Sequence, residues 1–242
     1  MTKNNILAII PARAGSKRIP NKNIRNFLGQ PLISYTIKQA LGCKFIDRVI
    51  VDTDSEKIAK IALTSGAEVP WLRPKRLAAD KSKVIDSILW NLHELKKKED
   101  YQPDYLMILQ TTSPLREEKD IMDCWQMIQK TKASAVLTVC PTHPRLYHLG
   151  ADNKLILING TEKKSSNMQA WRPGYVLNGC FVYIIKVKSL LKEKTVITKN
   201  TKAVICPRWR SVDLDTFEDW ALAEVLYKNR KNIDNRIKKL EF

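Results

Sequence analysis

The chain has 242 residues, of which 44% are hydrophobic, and carries a formal net charge of +17 at pH 7. This apolar content is enough for one substantial core, so we predict a single domain over residues 1–242. No stretch approaches the roughly 20 consecutive apolar residues of a membrane-spanning helix, and the run at 6–11 is too short for a signal peptide. We therefore expect no membrane association and a cytoplasmic location.

The positive charge has three candidate explanations: a nucleic-acid partner, an acidic membrane surface, or strongly anionic small substrates. Many lysines lie in runs such as 96–98 and 228–239, which are typical of solvated surfaces. Helix-turn-helix, RNA-recognition and zinc-finger signatures are absent from the sequence, so we expect no nucleic-acid partner. The five cysteines are scattered and never spaced C-x-x-C, which favours neither a disulfide framework nor zinc.

Strand and helix patterns alternate through the first half of the chain. Residues 6–10 are a continuous aliphatic run ending at Pro11, which predicts a central parallel strand buried on both faces. A helical pattern over 32–40 and a β-rich run over 48–52 complete a βαβ unit. Asp54 or Ser55 could cap the next helix, whose apolar stripe stops at Gly66.

A helix pattern at 84–95, a strand at 105–109, a helix at 120–131 and a strand at 135–139 continue the series. The alternation then breaks, because residues 141–173 are polar and turn-rich, with a short strand pattern at 155–158. Structureless loops of this length are uncommon in compact domains, so we predict an inserted arm over 141–177. Regular patterns resume at 179–187 and 203–205, and a helix runs from Thr216 to about Tyr227. Together these predict a three-layer α/β fold with a mostly parallel, Rossmann-like sheet.

The strongest motif is the loop PARAGSKRIPNKN at 11–23, directly after the first strand. It supplies four basic side chains, those of Arg13, Lys17, Arg18 and Lys22. Such groups neutralise a triphosphate and its leaving pyrophosphate, and Gly15 permits close backbone approach. Ligands of open α/β sheets bind beyond the carboxyl ends of the strands, where this loop lies. Walker A and G-x-G-x-x-G motifs are absent, so we predict a phosphate cradle of another kind; the alternative is a merely basic surface turn.

Asp213 and Asp215 alternate along an extended pattern, so period-two geometry would point both carboxylates to one face. Two hard oxygen ligands suit Mg²⁺, which typically takes one or two carboxylates plus phosphate oxygens and waters. The alternative is that these acids cap the helix beginning near Thr216, which fits Asp215 by itself. Glu218 and Asp219 are first-turn acids of that helix.

The loop at 11–23 resembles the signature of the acylneuraminate cytidylyltransferase family. Other stretches agree in the expected order: VIVDTD at 49–54, LRP at 72–74, LQTTSPLR at 109–116, NG at 178–179 and DLDT at 213–216. The resemblance covers nearly the whole chain and implies that family's nucleotidyltransferase α/β domain, with the arm serving a homodimer. It also implies Mg²⁺-dependent transfer of CMP from CTP to a nine-carbon 2-keto acid sugar such as a neuraminate, legionaminate or pseudaminate, with release of pyrophosphate.

The same resemblance assigns CTP contacts to the loop residues Arg13, Ser16, Lys17, Lys22 and Asn23. It also puts the turn holding Asp80 near the cytosine; alternatively, Asp80 is only a helix cap before Val84. We expect catalysis to rest on positioning and on charge stabilisation by Mg²⁺ and the loop cations. Asp213 or Asp215 could also help deprotonate the sugar hydroxyl.

Residues after the third strong strand would meet the sugar. By resemblance Gln110 reads an N-acyl or hydroxyl group, with Ser113 and Arg116 beside it, although Arg116 could instead cap or salt-bridge the helix starting near Glu117. An arginine matches the sugar carboxylate bidentately, and Arg172 is the nearest candidate. Tyr183 flanks the position of a family tyrosine, where this chain has valine.

Within enzymes, the alternative is a cytidylyltransferase of 3-deoxy-manno-octulosonate or another sugar nucleotidyltransferase. Cytidylyltransferases of 3-deoxy-manno-octulosonate share the first half of the loop, but their lysine leads into Pro-Leu, whereas Lys22 here precedes Asn23. Around Arg172 the chain reads QAWRPGY at 169–175, which departs from the neuraminate pattern and hints at a sugar other than plain N-acetylneuraminic acid. From another class, a basic nucleic-acid-binding protein would also suit the charge.

Overall fold

The computed structural model describes residues 4–158, 172–179 and 181–240. The strands are β1 (Ile6–Pro11), β2 (Asn26–Phe27), β3 (Gln30–Pro31), β4 (Arg48–Asp52), β5 (Tyr105–Ile108), β6 (Ala135–Thr142), β7 (Tyr147–Leu149), β8 (Leu155–Leu157), β9 (Gly174–Leu177), β10 (Tyr183–Lys186) and β11 (Thr201–Ile205). The helices are α1 (Leu32–Gly42), α2 (Glu56–Thr64), α3 (Lys75–Ala78), α4 (Val84–Glu99), α5 (Glu118–Thr131), α6 (Val187–Glu193) and α7 (Phe217–Leu240).

A seven-stranded sheet forms the centre of the fold, in the spatial order β11, β6, β10, β5, β1 and β4, with β9 paired to β6. β1 runs parallel to both neighbours, so that Ile9 lies opposite Ile50 and Ile108. β10 runs antiparallel to β5 and β6, and β11 is parallel to β6. β4, β1, β5, β6 and β11 therefore share one direction, which confirms the predicted mostly parallel sheet.

Alternating side chains of β1 enter two different cores. Ile6, Ala8 and Ile10 pack into the cluster formed with α1, α2 and α5, while Leu7 and Ile9 pack with α4 and α6 on the other face. A strand buried on both faces reads as a continuous aliphatic run, because neither face meets water. The three-layer α/β architecture follows from this arrangement and is confirmed.

A third apolar cluster ties the end of the chain to the loop after β1. The Phe27 ring stands edge-on to the rings of Tyr35, Trp220 and Tyr227, with centroids 5.4 to 5.7 Å apart. Edge-to-face pairs of this kind stabilise by about 0.5–1.5 kcal/mol each beyond the area they bury. The cluster fixes the first turns of α7, and with them the acidic segment before the helix, beside the sheet.

The last helix differs from the prediction, since it continues to Leu240 rather than ending near Tyr227. Residues 228–240 contain no glycine or proline and several lysines and arginines, which are good helix formers, but they have no strong apolar stripe to announce the helix. In the part of the chain that the structure describes, no helix combines the length and apolar character needed to cross a membrane.

The predicted arm is described in part. β7 and β8 form an antiparallel hairpin with Tyr147 opposite Leu157, and β9 returns to pair with the end of β6. Residues 159–171 of the arm lie outside the described residues. The single-domain boundaries and the role of the arm in a dimer remain predictions.

Candidate active site

A cleft of about 430 Å³ opens at the carboxyl edge of the parallel strands. It is lined by Pro11, Arg13, Ser16, Lys17, Arg18, Ile19, Lys22, Asn23, Arg73, Val84, Gln110, Thr111, Thr112 and Asp215. Most of the residues predicted to bind nucleotide therefore meet in one place. Cations predominate in this lining, which suits a polyanionic ligand.

Backbone and amide hydrogen bonds hold the loop at 11–23 over the sheet. The Ala14 amide donates to the Asp54 carboxylate at 2.9 Å. The buried Asn23 side chain donates to the Arg13 carbonyl at 2.9 Å and accepts from the Thr111 hydroxyl at 2.6 Å. Asn23 thus links the loop to the segment after β5, so its predicted contact with nucleotide would be made by a side chain that already organises the site.

Gly15 lies at the exposed turn of this loop. A Cβ atom built there would have no neighbour within 4 Å, and the backbone is not left-handed. The fold itself therefore places no steric demand for glycine at this position. Open space at the tip leaves room for the close ligand approach predicted from the sequence, which stays a prediction.

Asp80 bridges two cations of the loop. Its carboxylate lies 3.2 Å from Arg13 Nη1 and 2.5 Å from Lys17 Nζ. The hydrogen bond from Lys17 lowers the pKa of Asp80, and the charge of Arg13 acts in the same direction. The alternative that Asp80 caps α4 is wrong, because Lys83 is the residue at the N-cap.

Lys22 and Arg18 connect the loop to the acidic segment before α7. Lys22 Nζ donates to the Leu214 carbonyl at 2.6 Å and lies 3.7 Å from Asp215 Oδ1, and Arg18 Nη1 lies 3.0 Å from Asp215 Oδ2. Asp215 is therefore at the cleft wall, among the cations expected to bind phosphate.

The segment of Asp213 and Asp215 is not extended as the sequence argument assumed. The Asp215 amide donates to the Asp213 carbonyl at 2.9 Å, which makes a tight turn around the buried Leu214. Period-two geometry is therefore wrong here, although both carboxylates still interact with each other and with Lys22. The helix-cap alternative for Asp215 is also wrong, because Thr216 and Asp219 exchange the capping hydrogen bonds of α7.

Asp213 is the more buried of the two acids. Burial raises its pKa, the charge of Asp215 adds to the effect, and the nearby Thr112 hydroxyl and Lys22 oppose it. Among the described residues, neither the buried Asp213 Oδ1 nor the buried Thr112 hydroxyl has a hydrogen-bond partner at normal distance and angle, although the two side chains interact with each other. A buried carboxylate that is so sparsely paired can accept a further partner, such as a cation or a water molecule.

These carboxylates fit a divalent cation. Among the described residues no cluster of three or more histidine, cysteine or acidic side chains could hold a metal ion. Mg²⁺ does not need such a cluster, because one or two carboxylates suffice when phosphates and waters complete the shell. Asp215 lines the cleft, whereas Asp213 lies buried two positions before it and is not among the lining residues, so the donor set would be one cleft carboxylate and one buried carboxylate behind it.

Gln110 stands between the cleft and a second pocket of about 280 Å³. This second pocket is lined by Lys83, Val84, Ile85, Ile88, Ile108, Gln110, Tyr183, Lys194, Thr195 and Val196. The Tyr183 side chain contributes to the floor from β10, although it is mostly buried. Gln110 and Tyr183, two of the residues predicted to bind sugar, therefore line one pocket that adjoins the phosphate cleft.

Arg116 and Ser113 do not fit the sugar-binding role that was predicted for them from the sequence. The Arg116 side chain is 2% exposed and donates to the Phe181 carbonyl, to Thr36 Oγ1 at 2.8 Å, to the Gln110 carbonyl and to Gln39. The buried Arg116 side chain links the segment after β5 to helix α1 by hydrogen bonds, so it cannot also bind a sugar in the cleft. Ser113 is completely buried, and its hydroxyl finds no partner among the described residues.

The alternative that Arg116 caps the following helix is wrong as well. The cap of α5 is Glu117, which forms a capping box with Asp120. Arg172, predicted to bind the sugar carboxylate, is exposed and does not line either pocket described above. The neighbouring residues 169–171, which belong to the stretch that departs from the neuraminate pattern, lie outside the described residues.

Arg73 was not assigned a role from the sequence. Its guanidinium forms a buried bidentate pair with Asp52, at 2.9 and 2.6 Å, and Ser87 also donates to this carboxylate. The sequence did contain a signal for such a contact, because an aspartate at the end of a buried strand needs a cationic or hydrogen-bonding partner. Only the fold shows that the partner is Arg73, which also reaches the cleft.

Comparison with known proteins gives the family of the chain and agrees with its fold. A family model described as cytidylyltransferase matches residues 7–165. The chain is 36% identical over 226 residues to a CMP-N,N'-diacetyllegionaminic acid synthase of Legionella pneumophila, covering 91% of this chain and 95% of that protein. It is 31% identical over 225 residues to a pseudaminic acid cytidylyltransferase of Campylobacter jejuni, covering 92% and 96%.

An N-acylneuraminate cytidylyltransferase of Escherichia coli is 32% identical over 240 residues, which is 96% of this chain and 55% of that longer protein. Among solved structures, CMP:2-keto-3-deoxy-manno-octonic acid synthetase complexed with CTP superposes with a TM-score of 0.70, covering 93% of this chain and 99% of the other. Their sequence identity is 15%, so this likeness speaks for the fold alone.

Proposed function

The chain belongs to the cytidylyltransferase family and is an enzyme of the CMP-sialic acid synthetase type, and we propose that it transfers CMP from CTP to a nine-carbon 2-keto acid sugar. The strongest support is the cleft, whose lining brings together four cations of the loop at the carboxyl edge of the sheet, Arg13, Lys17, Arg18 and Lys22, while the fifth, Arg73, is neutralised by Asp52. A triphosphate bound there would lie directly beside the pocket that Gln110 shares. The two substrates would therefore meet along one edge.

The reaction is a direct displacement. The oxygen of the anomeric C2 hydroxyl forms a bond to the α-phosphorus of CTP, the bond from that phosphorus to the bridging oxygen breaks, and pyrophosphate leaves. The hydroxyl proton passes to water or to one of the two carboxylates, Asp213 and Asp215, that is not engaged by a cation at that moment. Because no covalent enzyme intermediate is needed, the protein contributes position and charge.

The loop cations stabilise the charge that develops on the leaving group. When CTP binds, Arg13 and Lys17 release the Asp80 carboxylate and bind phosphate oxygens instead. Lys22, which is held by its hydrogen bond to the Leu214 carbonyl, binds the α-phosphate. Asp213 and Asp215 would hold Mg²⁺, which supplies Lewis-acid stabilisation of the phosphates when it is bound. The buried Asp213 oxygen, which has no well-formed hydrogen bond among the described residues, supports this assignment.

The second pocket suits an N-acylated acidic sugar. Its floor is apolar, with Ile85, Ile88 and Val196, and its rim carries Lys83 and Lys194. An apolar floor accepts the methyl of an N-acyl group, and the lysines favour an anion. Because the Legionella relative is named for N,N'-diacetyllegionaminic acid, that sugar is the first to offer.

A homodimer is part of the proposal. The hairpin of β7 and β8 exposes Leu149 at 69% and Leu155 at 65%, an unusual use of large apolar side chains at a monomer surface. Pairing with a second copy would remove them from water. Light scattering after size exclusion should give a dimer mass for the native chain and a monomer mass for Leu149→Asp/Leu155→Asp; a monomeric native chain would contradict the dimer.

The activity is tested by pyrophosphate release from CTP and Mg²⁺ with each of four sugars offered separately: N,N'-diacetyllegionaminate, pseudaminate, N-acetylneuraminate and 3-deoxy-manno-octulosonate. We expect release with a nine-carbon sugar and a loss of at least about 100-fold in Asp215→Asn, the scale of removing one charge-stabilising group. Asp234→Asn, the same substitution on α7 outside the cleft lining, is the matched control and should be fully active.

Each outcome decides between the readings. Release only with the eight-carbon octulosonate would overturn the sugar class but keep the reaction. The absence of pyrophosphate release with all four sugars would overturn the proposed function. Equal activity of Asp215→Asn and Asp234→Asn would leave the reaction in place and remove Asp215 from it.

A further inference from the structure

Gly179 lies in the turn between β9 and β10 and touches the acidic segment before α7. Its φ of +66° is in the left-handed region, which side chains rarely adopt. A Cβ atom built on Gly179 would lie 2.8 Å from both Cγ and Oδ2 of Asp213 and 3.0 Å from Oδ1. The space that any other residue would fill is occupied by the Asp213 carboxylate.

The surroundings leave the carboxylate little freedom to move aside without losing its place. Asp213 sits in the tight turn closed by the Asp215 amide, and the next residue, Leu214, is buried with its amide bonded to the Thr112 carbonyl at 2.9 Å. The backbone is therefore held by hydrogen bonds on the C-terminal side of the Asp213 side chain. Relief of a clash at Gly179 falls on the rotation of the short Asp213 side chain itself.

Asn178 secures the glycine turn against the same segment. It is 3% exposed, and its amide donates to Ser211 Oγ at 3.1 Å, two residues before Asp213. The side-chain oxygen Oδ1 of Asn178, like Asp213 Oδ1, is buried and has no well-formed hydrogen bond within the part of the chain that the structure describes. The pair Asn178-Gly179 thus packs directly on the carboxylate proposed to bind metal.

We propose that Gly179 is a positioning residue of the metal site: the absence of a side chain there sets the orientation in which the Asp213 carboxylate meets a divalent cation. This inference rests on the proposed function, because it concerns the metal assigned to Asp213 and Asp215. Gly179 touches no substrate and acts only through Asp213.

The test is Mn²⁺ binding followed by the loss of the free-ion electron paramagnetic resonance signal, with CTP present and no sugar, so that turnover plays no part; the signal lost to CTP alone, measured without protein, is subtracted. We expect Gly179→Ala to weaken Mn²⁺ binding at least about tenfold, approaching Asp213→Asn. The matched control is Gly29→Ala, whose residue has φ +93° but no atom within 4 Å of the added Cβ. It carries the backbone strain without the clash and should bind Mn²⁺ as the native chain does.

The outcomes separate the inference from its premise. Native-like Mn²⁺ binding by Gly179→Ala would overturn the inference and leave the metal site standing. Absence of Mn²⁺ binding in the native chain would overturn the metal assignment and the inference with it. Equal weakening in both alanine variants would assign the effect to backbone strain and overturn the inference.

A folding defect in Gly179→Ala is resolved in the Asp213→Ala background, from which the clashing carboxylate is absent. If the contact is the cause, the melting temperature lost on introducing alanine at 179 should be largely regained in that background. Loss of the same size in both backgrounds would show that Asp213 is not the neighbour that requires glycine, and would overturn the inference.

Discussion

Removing one partner of the buried pair of Arg73 and Asp52 should be one of the most destabilising single changes that can be made to a charged contact in this fold. Their side chains are 4% and 1% exposed, and the guanidinium meets the carboxylate bidentately and also donates to the Asp52 carbonyl at 2.8 Å. Removing one partner leaves a buried charge without compensation, which costs about 3–5 kcal/mol. Asp52→Asn should therefore lose a large share of the roughly 5–15 kcal/mol by which a domain is stable.

Urea unfolding followed by circular dichroism measures this loss. With a slope near 3 kcal/mol/M, expected at the upper end for a chain of this size, the midpoint should fall by about 1–1.7 M. The control is Lys119→Met, which breaks the exposed pair with Asp123, where the lysine is 73% exposed, and should cost at most about 0.5 kcal/mol.

A double-mutant cycle isolates the contact. Asp52→Asn combined with Arg73→Met should lose less than the sum of the two single variants by about 2 kcal/mol or more, because the double variant leaves no unpaired buried charge. Strict additivity, or a midpoint for Asp52→Asn within error of the Lys119→Met control, would refute the reasoning.

Three further predictions test the site and its surroundings. Arg116→Lys keeps the positive charge but loses the several hydrogen bonds of the guanidinium. The melting temperature should therefore fall by about 6–12 °C, while the sugar KM of the folded fraction stays unchanged. A raised sugar KM with an unchanged melting temperature would instead place Arg116 in the sugar site. Asp80→Asn frees two loop cations and should lower the CTP KM severalfold at low salt, with the difference shrinking at high salt; an unchanged KM at low salt would contradict competition between Asp80 and phosphate. Burial raises the pKa of the Cys43 thiol to about 11. A variant that keeps Cys43 as its only cysteine should therefore react slowly with a disulfide reagent near about pH 8 when native, and rapidly once unfolded. Rapid reaction in the native state would contradict the burial of Cys43.

The alternation of patterns was enough to predict most of the fold. The aliphatic run of β1 and the β-rich run of β4 were predicted correctly because burial on both faces leaves an unbroken apolar sequence. The helix cap at Ser55 also follows from local chemistry, since its hydroxyl accepts from the Ile58 amide. α6 and the end of α7 were missed, because short or weakly amphipathic helices carry no clear apolar period.

The phosphate loop is the part of the site that the sequence determined by itself. Its residues are contiguous, so their chemistry and their place after a buried strand can be read together, and the structure brings them to one cleft with Gln110 and Asp215. The roles of residues distant in sequence needed the tertiary structure. Whether an arginine such as Arg116 binds a ligand or a carbonyl depends on which groups the fold packs around it, and local sequence does not encode those groups.

The same reason accounts for Arg73 and Gly179. Composition and motif could mark an aspartate that needs a partner or a glycine that follows an asparagine, but not that Arg73 lies against Asp52 or that Asp213 fills the space beside Gly179. These contacts join residues 21 and 34 positions apart, across different elements. Local chemistry thus determined the strands, caps and phosphate loop, and long-range packing alone decided which charged and small residues surround the acids at the site.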